Sequence, residues 1–198
     1  MSEGRKEFYR KFVHLAFGVC LALTIYMLDK SILLTLFSLG IAIYFLIVKF
    51  FSKLPAFLQK TILYLSREDE LKFMIGKGSF FFILAILICL ILFSKTAVAT
   101  ATLIAAVGDA FSTIIGKNYG RHKLPYNKNK SFEGSLAFFT SSTGAILFFD
   151  LLINVNFKIF CLIFVALICT ILESFIKRSE IIDDNLIIIV VGAFLLSL

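Results

Sequence analysis

Seven long apolar runs, at residues 12–28, 31–48, 79–93, 96–116, 133–153, 157–176 and 186–198, constrain this chain to fold as a bundle of helices within a membrane. A helix that crosses the roughly 30 Å hydrocarbon layer needs about 20 residues. The third and last runs are therefore short. The third can borrow Ile75 to Gly78, and the last can begin near Asp184 and cross a thinned or protein-lined region. Seven crossings are expected, or six if the last run stops short. Composition agrees, since 60% of the residues are apolar and 17% charged, with a mean hydropathy of +0.96. Soluble domains hold about 45 to 50% apolar residues. The expected fold class is all-α, a polytopic membrane helix bundle forming a single domain over residues 1–198, with no internal repeat.

The distribution of cations orients that bundle. With the N-terminus in the cytoplasm, seventeen of the twenty Lys and Arg residues fall on the inner side and only Lys30, Lys95 and Lys158 on the outer. Such a bias is the usual signature of cytoplasmic loops. The outer connections are only a few residues long, so successive helices are expected to be antiparallel neighbours. Arg5, Lys6, Arg10 and Lys11 precede an apolar run in the manner of a signal peptide, but that run is long and ends at Met27-Leu28-Asp29 without a small-residue cleavage site, which predicts a retained anchor. The net charge of +7 is thereby taken up by topology and by lipid or nucleotide phosphates, and no nucleic-acid partner is expected. Leu54, Phe57, Leu58, Ile62 and Leu65 recur at helical spacing beside Lys53, Lys60 and Arg67, predicting either an interfacial helix on anionic headgroups or a linker helix. Cys20, Cys89, Cys161 and Cys169 lie scattered in apolar runs, without disulfide or zinc spacing.

Chemistry concentrates between Gly108 and Ser135. Asp109 lies inside the fourth run, and a carboxylate at the bilayer centre costs roughly 2.5 to 3.5 kcal/mol, so it belongs near an edge, in a wet cavity, or beside a cation or metal. Ala101, Ala105, Asp109, Ser112, Thr113 and Gly116 form a stripe of small and polar side chains that permits close helix approach. Beyond it a glycine- and cation-rich loop carries Gly116, Lys117, Gly120, Arg121, Lys123, Lys128 and Lys130. Glycines let backbone N–H groups approach an anion, and Lys and Arg neutralise phosphate. Neither Gly-Lys pair is followed by Ser or Thr, so this is not a Walker loop. Ser131 is placed to cap the fifth helix, beside Lys130. Glu133 serves either the helix dipole or a metal or substrate. Arg10, Lys11 and His14 share one side of the first helix, Glu173 sits near the inner end of the sixth run, either in an ordinary pair with Lys177 or in the site, and Asp183-Asp184-Asn185 precedes the last. Under the expected topology all of these face the cytoplasm.

These residues resemble a known family, the CTP-dependent lipid kinases that include dolichol kinase, phytol kinase and the yeast-type diacylglycerol kinase. The resemblance is carried by Arg10-Lys11-Phe12-Val13-His14, by Gly108-Asp109-Ala110 with Gly116-Lys117-Asn118-Tyr119-Gly120, by Lys130-Ser131-Phe132-Glu133-Gly134-Ser135, and by Glu173 with Asp184-Asn185-Leu186. It implies phosphoryl transfer from CTP to the hydroxyl of a membrane alcohol (a dolichol-, polyprenol- or phytol-like isoprenoid, or diacylglycerol), with Mg2+ or another divalent cation, in a multi-pass membrane protein whose site faces the cytoplasm. A basic loop by itself suits ATP equally well.

The implied nucleotide-binding set is Arg10, Lys11, Gly108, Gly116, Lys117, Gly120, Arg121, Lys130, Ser131 and Gly134. The implied metal set is Asp109, Glu133, Asp184 and Asn185, and Asp109, Glu173 or His14 serves as base to the hydroxyl. The phosphatidate cytidylyltransferases share the glycine-aspartate block, so synthesis of a CDP-lipid is the alternative; their C-terminal signature is absent here. A non-enzymatic lipid or ion transporter is a second alternative, disfavoured because the ionisable groups gather at one face and no repeated halves are seen.

Overall fold

The computed structural model describes residues 3–66, 75–154, 157–176 and 183–198. Within them the chain forms helices α1 (Glu3–Met27), α2 (Lys30–Lys49), α3 (Ala56–Leu65), α4 (Lys77–Leu92), α5 (Lys95–Tyr119), α6 (Phe132–Ile153), α7 (Ile159–Phe175) and α8 (Asp184–Leu195). A 3-10 turn at Phe51–Lys53 leads into α3, and a hairpin of β1 (Lys123–Leu124) and β2 (Asn127–Ser131) joins α5 to α6. The seven apolar runs each become a helix. Four of these, Gly4–Met27, Lys30–Lys49, Lys95–Tyr119 and Phe132–Ile153, are long and apolar enough to cross a membrane, and Lys77–Leu92, Ile159–Phe175 and Asp184–Leu195 are shorter apolar helices.

α5 is the axis of the bundle, 78% buried over its apolar stretch against 11% for α2. Its Ala-, Thr- and Gly-rich sequence explains this, because small side chains let α1, α6 and α8 all lie close against it. Ser94 starts the helix, its Oγ accepting the N–H of Ala97 at 3.3 Å. The twelve residues of α8 rise only about 18 Å. They need not span lipid alone, since α4, α5 and α7 flank them.

The bundle is all-α as expected, the cation-rich segment adding only the two-stranded β1–β2 hairpin. Two expectations are corrected. That segment starts later than expected, α5 continuing through Gly116 and Lys117 to Tyr119. Successive helices are also not all packed neighbours. α1 lies along α5, while α2 lies on α4. At the end where α1 turns into α2 two lysines hold this exchange together, Lys30 Nζ donating to the Phe93 carbonyl and Lys95 Nζ to the Leu28 carbonyl, both at 3.2 Å. Each satisfies a carbonyl that a helix end leaves without a partner. At the other end α1 and α2 part, and α3 sits against α1.

Candidate active site

The hairpin is positioned by a latch on the end of α7. Asn127, buried in β2, donates from Nδ2 to the carbonyls of Ser174 (3.0 Å) and Ile176 (3.3 Å). Tyr126 stacks on Phe175 with ring centroids 4.3 Å apart, its hydroxyl 3.0 Å from Ser174 Oγ. Nothing in the polar sequence Asn127–Ser131 makes a strand by itself, so pairing depends on this docking. The result is to carry Lys130 onto Glu173, with which it forms a salt bridge. Ser112 of α5 donates to the same carboxylate oxygen at 3.2 Å.

The turn from hairpin to α6 is built on close backbone approach. Ser131 caps α6, its Oγ accepting the Gly134 N–H at 3.2 Å. A Cβ on Gly134 would lie 3.1 Å from the Ser112 carbonyl and 3.2 Å from Gly116 Cα; one on Gly120 would lie 2.2 Å from the Gly116 carbonyl. Only glycine lets α5 and α6 meet this closely.

Between these elements lies a polar cavity of about 480 Å³, lined by Asp109, Lys117, Lys130, Ser131, Glu173 and Asp184 among others. Ser135 Oγ and Glu173 Oε2, both from residues lining it, are buried without a hydrogen-bond partner among the described residues. Burying such atoms costs about 1 to 3 kcal/mol each, a cost that a ligand removes.

On the other side of Asp109 a second cavity of about 370 Å³ opens where α1 and α2 part. Its walls are apolar, with Phe17, Tyr44, Ile47, Phe51, Ile62 and Leu65 from α1, α2, the 3-10 turn and α3. Arg10, Lys11, His14, Asp109, Asp183 and Asn185 supply its polar lining. Asp109 itself is 5% exposed and paired with the equally buried Lys11, with His14 Nε2 3.8 Å away. The N-terminus of α8 divides the two spaces, Asp184 lining the polar cavity while Asp183 and Asn185 line the apolar one. Asp183 caps that helix, accepting from Asn185 N (3.0 Å) and Nδ2 (2.9 Å). Burial, and then the neighbouring Asp184 charge, push the Asp183 carboxyl well above the usual carboxylate range.

Most of the residues read from the sequence are thus brought together: Asp109, Gly116, Lys117, Lys130, Ser131, Gly134, Glu173 and Asp184 around one cavity, and Arg10, Lys11, His14 and Asn185 around the other, with Asp109 common to both. Four stand apart. Glu133 turns to His122, accepting its backbone N–H at 3.1 Å and lying 2.7 Å from Nδ1, so as a first-turn acid it braces the hairpin and lines neither cavity. Gly108 faces the ring of Phe138, 2.6 Å from where its Cβ would be, and serves helix packing. Gly120 serves the close turn just described, and Arg121 is exposed outside both cavities. Lys177, expected as one option for pairing with Glu173, lies outside the described residues, and Lys130 takes that place.

The sequence does not single out Glu7 or Asn127. Glu7 bridges Arg10 and, at 3.4 Å, Lys117, linking one cation from each cavity; its i, i+3 spacing to Arg10 is the available signal. Asn127 lines the polar cavity as well as latching the hairpin. Asp183, which the sequence names beside Asp184 without a role of its own, is the cap of α8. Among the described residues no three His, Cys, Asp or Glu side chains gather as a metal site.

Comparison with known proteins gives the arrangement a family. The chain is 35% identical over 196 residues to the uncharacterized protein MJ1137 of Methanocaldococcus jannaschii, covering 97% of this chain and 93% of that one. It is 31% identical over 121 residues to the probable chloroplastic phytol kinase 2 of Glycine max, covering 56% of this chain and 41% of the relative. It is 35% identical over 83 residues to the chloroplastic farnesol kinase of Arabidopsis thaliana, covering 41% and 27% respectively. The chain therefore spans less than half the length of these two plant kinases. No protein-family model and no solved structure matches it. By its identity over nearly the full length of both proteins, the chain belongs to the family of MJ1137, and its similarity extends to the plant phytol and farnesol kinases.

Proposed function

We propose that this integral membrane protein is a kinase that transfers the γ-phosphoryl group of CTP to the hydroxyl of an isoprenoid alcohol at the cytoplasmic face. The observation that carries this reading is the position of Asp109, which lines a polar, cation-bearing cavity on one side and an apolar one on the other. A phosphoryl donor and a membrane-dissolved acceptor need such adjoining spaces. The similarity to phytol and farnesol kinases supports the acceptor class, and the family resemblance of the Gly108–Gly120 and Lys130–Ser135 segments supports CTP as donor.

Phosphoryl transfer depends on positioning and charge neutralisation. Lys117 and Lys130, with the N-terminus of α6, hold the triphosphate. Glu173, already engaged by Lys130 and Ser112, orients Lys130 across the cavity. The acceptor hydroxyl reaches Asp109 from the apolar side, beside His14. Asp109 accepts its proton as the oxygen bonds to the γ-phosphorus; the bond from phosphorus to the bridging oxygen breaks, and CDP leaves with its new charge met by the lysines.

A divalent cation fits the residues present. Mg2+ is usually held by one or two carboxylates together with substrate phosphates rather than by an all-protein cage. That matches oxygen donors such as Asp109, Asp184, and Glu173 Oε2 and Asn185 Oδ1, the last two without a hydrogen-bond partner among the described residues, better than it would a preformed three-ligand cluster. When bound it would offset phosphate charge.

The test incubates purified protein with γ-labelled CTP or ATP, Mg2+, and a panel of phytol, farnesol, a long polyprenol and diacylglycerol. The expected product is a labelled isoprenoid monophosphate, formed faster from CTP. Release of pyrophosphate with a CDP-lipid would move the protein to the cytidylyltransferases. Absence of both products and of thermal stabilisation by CTP with Mg2+ would leave the transporter.

A further inference from the structure

The lysines at the two ends of the bundle meet different partners. Where α1 turns into α2, Lys30 and Lys95 donate to backbone carbonyls. At the opposite end Lys6, Lys49, Lys53 and Lys60 make no salt bridge and no hydrogen bond among the described residues. Three of them lie against aromatic rings instead. Lys49 Nζ and Lys53 Nζ are each 5.6 Å from the centre of the Phe50 ring, and Lys6 Nζ is 5.8 Å from that of Tyr64. Two ammonium groups on one ring repel each other, and the chain holds no acid from Lys49 to Ser66. The dipole of α2 accounts for Lys49, in its last turn, but not for Lys60, in the middle of α3.

The end of α2 fixes the depth of this cluster. Its last turns expose Phe45, Leu46 and Val48, and Lys49 follows at once, as where an apolar helix reaches the boundary of the hydrocarbon layer. The 3-10 turn Phe51–Lys53 redirects the chain, and Gln59 Nε2 donates to the carbonyls of Ser52 (3.3 Å) and Leu54 (2.8 Å), folding the start of α3 back on that turn. That keeps α3 close to the boundary. Ile62 and Leu65 turn inward, while Phe57, Lys60 and Tyr64, spaced i, i+3 and i+7, form the other face, with Phe57 66% exposed. A helix surrounded by water gains nothing from presenting a phenylalanine in this way. One lying among headgroups does, because the ring enters the acyl boundary while the lysine reaches phosphate.

We infer that Lys49, Phe50, Lys53, Phe57 and Lys60 form a docking surface for the headgroups of anionic phospholipids, which seats α3 in the interfacial layer and orders it against the bundle. Such headgroups supply the counter-charge that the described residues do not, and the rings set how deep the helix lies. Each lysine at a membrane surface favours anionic lipid about fivefold. The surface does not depend on the kinase reading, and its occupancy is measured without turnover.

The chain contains no tryptophan, so Phe57→Trp gives the full-length protein a single indole reporter. The protein is placed in nanodiscs of phosphatidylcholine with a minority of phosphatidylglycerol, one or the other brominated on its upper acyl carbons. Per mole of lipid, quenching by brominated phosphatidylglycerol should exceed that by brominated phosphatidylcholine at least about fivefold, and high salt should shrink the ratio. Adding Lys49→Gln/Lys53→Gln/Lys60→Gln should bring the ratio to about one, whereas Lys49→Arg/Lys53→Arg/Lys60→Arg should keep it. In the unsubstituted chain, amide exchange in Ala56–Leu65 should slow at least about fivefold when phosphatidylglycerol is included, and not when free phosphate is added to phosphatidylcholine alone.

An indole that neither lipid quenches would put this face in water and overturn the assignment. Equal quenching by both lipids would overturn it too, the result expected if Glu68, Asp69 and Glu70, outside the described residues, already neutralise the lysines. A ratio that survives the three Gln substitutions would do the same, and slowing by free phosphate would make the surface one for a soluble anion.

Discussion

The two cavities that share Asp109 are built in opposite ways. The polar one is defined by directed contacts: a hairpin latched to α7 through Asn127, a salt bridge from Lys130 to Glu173, and a capped turn with glycines at van der Waals distance. The apolar one is defined by an absence of contact, arising because α1 follows α5 while α2 follows α4. A triphosphate must be held at several charged atoms in one geometry, whereas a hydrocarbon needs only a space of the right shape, since hydrophobic burial is not directional. On the proposed reading donor and acceptor chemistry leave different marks on one bundle, with Asp109 common to both cavities.

Breaking the junction should have the largest effect. Asp109→Asn should lower turnover at least about a hundredfold with either substrate saturating. It also strands buried Lys11, and loss of one partner of a buried pair costs about 3 to 5 kcal/mol. The double variant Lys11→Met/Asp109→Asn should therefore regain most of the melting temperature without regaining turnover; recovery of both would make the pair merely structural.

Next comes the polar side alone. Lys130→Ala should raise the KM for nucleotide roughly ten- to a hundredfold, on the order of a charge-assisted bond at 1.5 to 3 kcal/mol, and leave the KM for alcohol unchanged. A parallel rise in both constants would deny that the cavities act separately.

Asn127→Ala removes the two hydrogen bonds of the latch, at a residue that also borders the polar cavity. Two carbonyls lose their donor, at about 1 to 3 kcal/mol in all, so amide exchange in Asn127–Ser131 should quicken and nucleotide KM rise several-fold. Unchanged exchange would show that the hairpin holds itself. The smallest change is expected from Glu7→Gln. An ion pair at a partly exposed site contributes about 0.2 to 1 kcal/mol, so loosening the hold on Lys117 should lower nucleotide KM up to about fivefold and steepen its salt dependence. A higher KM would make Glu7 a support for that cation instead of a competitor.

The contrast between cavities also divides what the sequence made legible. Helices were legible because lipid requires continuous apolar runs, and the polar site was legible because Asp109 and Glu173 are ionisable residues within such runs and Lys130 and Asp184 border them. The hairpin was not, since Asn127–Ser131 has no apolar alternation and takes its form from Ser174, Phe175 and Ile176, nearly fifty residues away. The apolar cavity was not either. Phe17, Ile47 and Ile62 are ordinary apolar residues, and only the divergence of α1 from α2 turns them into walls. Glu133 was left between two uses by its sequence, because its spacing does not reveal the local contact that a first-turn acid makes here with His122.

The central claim is that a phosphoryl group crosses from the polar cavity to an alcohol in the apolar one at Asp109. Its most direct test is a single-turnover reaction with CTP labelled by distinguishable isotopes at the α- and γ-phosphates, with farnesol as acceptor. Lipid product carrying the γ label alone, with CDP released, is the predicted result; lipid carrying the α label with pyrophosphate released would contradict it.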